Sequence, residues 1–191
     1  MKLKDISDIH SGYITRGKIQ ASVNGSHYLL QAKDVDGGKL SYRTDDLIRF
    51  HAALSRTDRC LESGDLIFMA RGAHNFTIQL GDLPEPALAA ACFFIVRTCH
   101  PRVFPGYLCW YLNQVPVERY LVQHSGRGVH MPVVRRAVLE NIQVPLPSMD
   151  TQRKIAEMNA LLLREMDLLQ RLGRKRKDLI AAACLQALRN C

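Results

Sequence analysis

The chain has 191 residues, is 47% hydrophobic and carries a formal net charge of +8, enough apolar material for one folded domain plus an appendage and too much for a disordered tail. No run approaches the roughly 18 consecutive apolar residues of a membrane span, and the opening MKLKDISDIH lacks a signal-peptide core, so a cytoplasmic protein without a membrane partner is expected. The six cysteines contain no CxxC pair and the seven histidines no HExxH or comparable spacing, so the cysteines are read as reduced core residues and no metal or cofactor is expected.

Leu3, Ile6 and Ile9 recur at threefold spacing and predict a short helical entry segment. Gly12, Gly17 and Gly25 then punctuate a polar stretch read as an exposed loop. Tyr28 to Ala32 and Leu47 to Phe50 read as short strands. Leu66 to Ala70 is the clearest strand, entered by the turn Ser63-Gly64-Asp65 and left through Arg71-Gly72. Phe76 to Leu80 alternates and is expected to pair with it as a hairpin. The almost wholly apolar Ala89 to Val96 reads as one strand buried on both faces.

Helical pattern returns at Tyr107 to Leu112 and again after Pro116, which a first helical turn accepts. Gln123 to Met131 is a second polar, glycine-bearing loop, and Pro132 leads into a short helix ending near Leu139. Ile142, Val144 and Leu146 form an apolar strand that Pro145 and Pro147 keep from being helical. The fold class expected is therefore mixed α/β, of the α+β kind, over residues 1–147.

From residue 148 to 191 the period changes to one long helix, with Ser148 or Asp150 available to cap it. Ile155, Leu162, Leu169 and Arg176 occupy one heptad position, and Met158, Glu165, Leu172 and Leu179 the other. Glu165 and Arg176 are polar intrusions, while Leu161, Met166 and Leu168 widen the stripe beyond a narrow two-stranded seam. Gly173 is a possible bend. At about 1.5 Å per residue the helix runs to roughly 55 Å. Such an apolar stripe needs a partner, either another helix or, if the helix folds back, its own domain.

The basic excess lies mostly in this helix, where nine Lys or Arg stand against four Asp or Glu from Thr151 onward. With an isoelectric point near 9.4, this favours a polyanionic partner, although a solvated helix, a membrane surface or RNA fits the same charge. Catalytic constellations are not found: no phosphate loop, no GxGxxG after a strand and no GxSxG nucleophile elbow. Asp45-Asp46 reads as solvated. His124, Ser125 and His130 lack a third orienting group, so no catalytic residue is assigned.

Three loop groups do carry side chains suited to reading bases or phosphates. Tyr13, Arg16, Lys18 and Gln20 form the first, Arg71, His74 and Asn75 the second, and Ser125, Arg127 and His130 the third. Whether they meet on one face is not legible from the sequence.

The ordered series KLKDISDIHSG, GDLIFMARG, AACFFIVRT, PGYLCWYLNQ, SGRGVHMP and LENIQVPLPSMDTQRKIAEMNALL closely resembles the specificity subunit of type I restriction-modification systems. The most specific part is Pro145-Leu146-Pro147 followed by Gln152, Lys154, Ile155 and Ala156. The resemblance implies a target recognition domain over 1–147 and a conserved spacer helix over 148–191. It implies a non-catalytic subunit that binds double-stranded DNA, reads part of a bipartite site and docks methyltransferase (modification) subunits. Through them it would meet a restriction translocase subunit.

A typical member carries two recognition domains and two helices, and this chain has one of each, so a half-length subunit is expected. It would work as a homodimer through antiparallel helices, using Ile155, Met158, Leu162, Leu169, Leu172 and Leu179. At about 3.4 Å per base pair the helix would span at most around 16 base pairs. The competing accounts are a recombining specificity cassette without independent DNA recognition, a protein-interaction adapter, and a small nucleic-acid enzyme.

Overall fold

A computed structural model describes residues 1–15, 17, 19–52, 60–72, 74–124 and 133–189. The chain divides into two compact units, Met1–Ala156 and Glu157–Cys191.

The first unit is built on a four-stranded antiparallel sheet in the order β1 (Ser7–Ser11), β9 (Phe93–Thr98), β6 (Leu66–Met69), β7 (Thr77–Gln79). Every residue of β6 is buried, and its register with β9 sorts the side chains by face. Leu66 opposite Val96 and Phe68 opposite Phe94 turn one way, while Ile67 opposite Ile95 and Met69 opposite Phe93 turn the other. The first set packs with Leu3, Ile6, Ile9, Tyr107, Leu108 and Leu139 under the helices α1 (Pro105–Leu112), α2 (Val115–His124) and α3 (Arg136–Glu140). The second meets Leu30, Leu47, Leu80 and Ala89, contributed in part by a smaller sheet in the order β5 (Ile48–Phe50), β2 (His27–Leu30), β8 (Ala87–Ala89). A two-stranded ribbon joins β3 (Val35–Asp36) to β4 (Ser41–Tyr42).

Sequence pattern and structure agree for β2, β5, the β6–β7 hairpin, α1, α2 and α3. Gly64, in the turn before β6, has φ of 94°, the left-handed region that glycine tolerates. Two elements differ. Leu3, Ile6 and Ile9 are all buried, but only Leu3–Asp5 is helical, as one 3-10 turn, and Ile9 lies on β1. A threefold spacing over seven residues satisfies either arrangement.

The run Ala89 to Val96 is not one strand. It holds the end of β8, a turn at Ala91 and Cys92, and the start of β9, which lie in different sheets. Both ends are buried, so composition carries no mark of the turn. The segment at Ile142 to Leu146 is extended, but its pairing is limited to a bridge between Gln143 and Lys2 flanked by bonds from Leu3 N to Ile142 O (2.9 Å) and Val144 N to Met1 O (2.7 Å). The core role read for the cysteines holds for Cys109, whose burial pushes its thiol up to about 12. Cys99 and Cys184 are exposed, and Cys60 and Cys92 are half-buried.

Polar anchors close the first unit. Arg97 on β9 grips the buried Asp65 with two bonds of 2.7 Å and Glu62 with another. At the sheet edge Asn113, after α1, accepts from Thr77 N and donates to Thr77 O, both at 2.8 Å, replacing the strand that β7 lacks there.

Helix α4 runs unbroken from Met149 to Arg189 through Gly173, about 60 Å at about 1.5 Å per residue. Ser148 caps it: its hydroxyl receives Thr151 N at 3.3 Å and its carbonyl Gln152 N at 3.0 Å. Gln152 is fully buried. Its Oε1 accepts from Phe104 N, and its Nε2 donates to Arg102 O and Pro147 O, all at 2.9 Å. Ala156 comes close to Gly106 of α1, where an added Cβ would stand 3.1 Å from the Ala156 methyl. In the second unit Met158, Leu162, Leu169, Leu172 and Leu179 are all exposed, as are Leu161, Met166 and Leu168. No described helix is long and apolar enough to cross a membrane.

Gln152→Ala strands one buried N–H and two carbonyls, and is expected to lower folding stability by about 3 kcal/mol. A shift of the urea midpoint at unchanged slope measures this, and an unaltered midpoint would refute the clamp.

Candidate nucleic-acid interface

The first two polar loop groups start from one piece of backbone, the turn from Ala90 to Phe93 between β8 and β9. The first loop leaves β1 at Gly12, whose N–H donates to Phe93 O at 3.0 Å, and Tyr13 N donates to Ala89 O at 2.7 Å beside a parallel bridge to Ala90. A Cβ on Gly12 would lie 2.1 Å from the Ala90 carbonyl oxygen, so only glycine allows this approach. The Tyr13 ring packs against Phe50, with centroids 5.4 Å apart, over the outer face of the smaller sheet. Gln20 is exposed. The loop returns through Ser22, whose N–H donates to Arg49 O at 2.8 Å.

The second group follows β6. Ala70 N and Arg71 N both donate to Cys92 O, at 2.9 and 3.2 Å. Arg71 and His74 are exposed. Asn75 is half-buried, and its amide N–H donates to Met69 O at 2.8 Å, closing the hairpin turn.

The third group, Ser125, Arg127 and His130, lies outside the described residues, as do Arg16 and Lys18 of the first. The attachment points of residues 125–132 are described. On one side α2 ends at His124, whose ring lies 4.1 Å from that of Tyr120. On the other, Val133 bridges to Arg71 and Val134 N donates to Ala70 O at 3.0 Å. Arg71 therefore bridges to Val133 at the start of the segment before α3, and its N–H donates to Cys92 O, one residue from where the first loop departs. Burial pushes the Cys92 thiol up, while the Arg71 charge acts in the opposite direction.

Two exposed cations at this surface escaped the sequence reading. Arg49 lies over the Tyr28 ring, 4.9 Å from its centroid, a cation–π pair that holds the guanidinium in place. Lys33 sits in a 3-10 turn next to Ala32, whose backbone hydrogen bonds to Cys92. The Arg49–Tyr28 pair follows from the β2–β5 register, and no sequence signal specifies that register.

A mixed-sheet domain whose chain runs on into one long helix is the fold of the specificity subunits of type I restriction-modification systems. Solved subunits from Thermoanaerobacter tengcongensis (HsdS) and M. genitalium superpose with TM-scores of 0.62 and 0.56, at 16% and 12% identity, over 90% and 88% of this chain. A third structure, from work on complex assembly and conformational transition of the type I R-M system, gives 0.59 at 18% identity over 89%. In sequence, the chain is similar to the type I restriction enzyme MjaVIII specificity subunit of Methanocaldococcus jannaschii, 26% identical over 96% of this chain. The resemblance read from the motifs thus extends to both sequence and fold, and the sequence matches no family model. The chain spans 42% of the length of the Methanocaldococcus protein and 38–40% of the solved subunits.

Gly12→Ala pushes a methyl into a backbone carbonyl, and is expected to cost about 3 kcal/mol or more. Thermal unfolding of the variant checks this, and wild-type behaviour would mean that the first loop is not pinned to the turn.

Proposed function

We propose that this chain is the sequence-specific DNA-binding specificity subunit, or one half of it, of a type I restriction-modification system, acting in the cytoplasm. The observation that carries this reading is that the loops after β1 and β6, which hold side chains suited to reading guanine and adenine, leave from the one Ala90–Phe93 turn, in a basic chain with a specificity-subunit fold. The domain over 1–147 reads one part of a bipartite duplex target. Within it Tyr13, Arg16, Lys18, Gln20, Arg71, His74, Asn75, Ser125, Arg127 and His130 face the DNA.

The chain does no chemistry itself and needs no cofactor. It docks the methyltransferase subunits and, through them, the restriction translocase. The segment over 148–191 is the spacer. Its exposed apolar residues, Met158, Leu162, Leu169, Leu172 and Leu179, together with Ile155, pair with the same helix of a second copy running antiparallel, because apolar surface of this extent is stable only when covered.

Arg71→Ala and Arg127→Ala are each expected to weaken specific binding about tenfold or more, and Arg189→Ala distinctly less. Binding titrations against the cognate duplex, identified by methylome sequencing and run with modification subunits present, check this. Equal losses in all three would indicate general charge attraction in place of readout. Binding without sequence preference would favour an adapter role.

Light scattering at micromolar concentration is expected to give twice the chain mass. A strictly monomeric protein would overturn the pairing.

A further inference from the structure

Glu165 and Arg176 interrupt both heptad rows of α4, and both are exposed. Among the described residues neither has an ion-pair partner. In an antiparallel pair of helices each residue of one row faces a residue of the other row on the partner. We propose that two copies of this chain pair in the single register that sets Glu165 of each against Arg176 of the other, with the two-fold axis passing between Gln170 and Arg171. The proposal deepens, and rests on, the pairing of helices proposed above.

In this register Leu169 faces Leu172 of the second copy, Leu162 faces Leu179 and Met158 faces Ala183, so the layers flanking the charged pairs out to Met158 are apolar, with Ile155 facing Gln186 at the end. The bulky Met166 then lies near Gly173 of the second copy, where the structure leaves open space. Sliding the helices by one heptad destroys the match. One direction sets Glu165 against Leu169 and Arg176 against Met158, and the other sets Arg176 against Leu172 and Glu165 against Ala183. Either slide buries two uncompensated charges per chain, which is strongly unfavourable. A parallel, in-register pair sets Glu165 against Glu165 and Arg176 against Arg176. The two polar intrusions therefore act as a lock that selects orientation and register, at positions where leucines would permit several. They also favour a second copy over an unrelated helix as the partner, because the complement of this pattern is the pattern itself.

Charge reversal tests the lock, with sedimentation equilibrium of the full chain under reducing conditions as the readout. Glu165→Arg alone sets Arg against Arg176, and Arg176→Glu alone sets Glu against Glu165, each twice by symmetry. Each single variant is expected to weaken the dimer on the order of a hundredfold, since like charges facing across an interface are strongly disfavoured. An equimolar mixture of the two singles restores both attractive pairs and is expected to form a heterodimer of near wild-type affinity. The double variant is expected to form such a homodimer by itself. Glu and Arg are both good helix formers, so far-ultraviolet circular dichroism should be unchanged in every case. A monomeric wild-type chain overturns the pairing of copies altogether. A wild-type dimer whose single variants associate undiminished, or whose mixture stays monomeric, overturns the register alone.

Discussion

The buried side chain of Gln152 joins three places where regular structure stops: the residues before α1, the end of the extended segment at Pro147, and the first turn of α4. The residues before α1 offer an N–H and a carbonyl without ladder partners, Phe104 N and Arg102 O, and Pro147 offers a second carbonyl. A side chain that meets them must both accept and donate, which an amide does and neither a carboxylate nor an amine can. The prolines take part in the same device. Pro145 and Pro147 have no N–H to donate and end the short pairing with residues 1–3, leaving carbonyls that side chains collect. Tyr107 donates to Pro145 O at 2.7 Å, Tyr111 to Gln143 O at 2.9 Å and Gln152 to Pro147 O. The PLP run and the glutamine five residues beyond it thus form one structural unit that holds the start of α4 against α1.

Behind that anchor the domain depends on a sheet buried on both faces. Because β6 and β9 are covered by helices on one side and by the smaller sheet on the other, the chain must pass from β8 to β9 through a tight turn between two buried layers. The carbonyls of Ala89, Cys92 and Phe93 at this turn find their partners within the protein. They accept from the N–H groups of Gly12, Tyr13, Ala70 and Arg71, and those residues stand at the bases of the first two polar loops. The demand of buried backbone for partners therefore gathers loops distant in sequence at one place. The exposed Arg71, Arg49 and Lys33 add positive charge there that would attract a phosphate backbone.

Helix α4 meets two different demands along its length. Its first turns serve the domain through Gln152, Ile155 and Ala156. Beyond Glu157 its apolar residues are exposed, and the cost of leaving them in water makes a partner helix the natural complement. A uniform leucine stripe would accept several partners and registers. Polar residues within the stripe weaken it but narrow the choice.

Much of this protein was legible in its sequence. The change from strand period to heptad period, the prolines that mark it, the β6–β7 hairpin and the three helices before α4 all follow from local rules of backbone and side chain, and the ordered motifs point to the family. The entry segment and the β8–β9 run were misread for a physical reason. Leu3, Ile6 and Ile9 are buried under either pattern, and an apolar run looks the same whether it is one strand or two with a buried turn between them. Asn75 appeared as a plain recognition residue, but half of its amide closes a turn.

Only the tertiary structure decided that the first two loop groups share a base and that Arg49 lies on Tyr28, since both depend on strand register and sheet order, set by contacts between residues far apart in the chain. It also decided why Gln152 is a glutamine. The sequence by itself determined the β6–β7 hairpin, the four helices and which charges lie along α4. Their assembly around the Ala90–Phe93 turn was decided by packing, because buried backbone finds its partners only once the layers have closed.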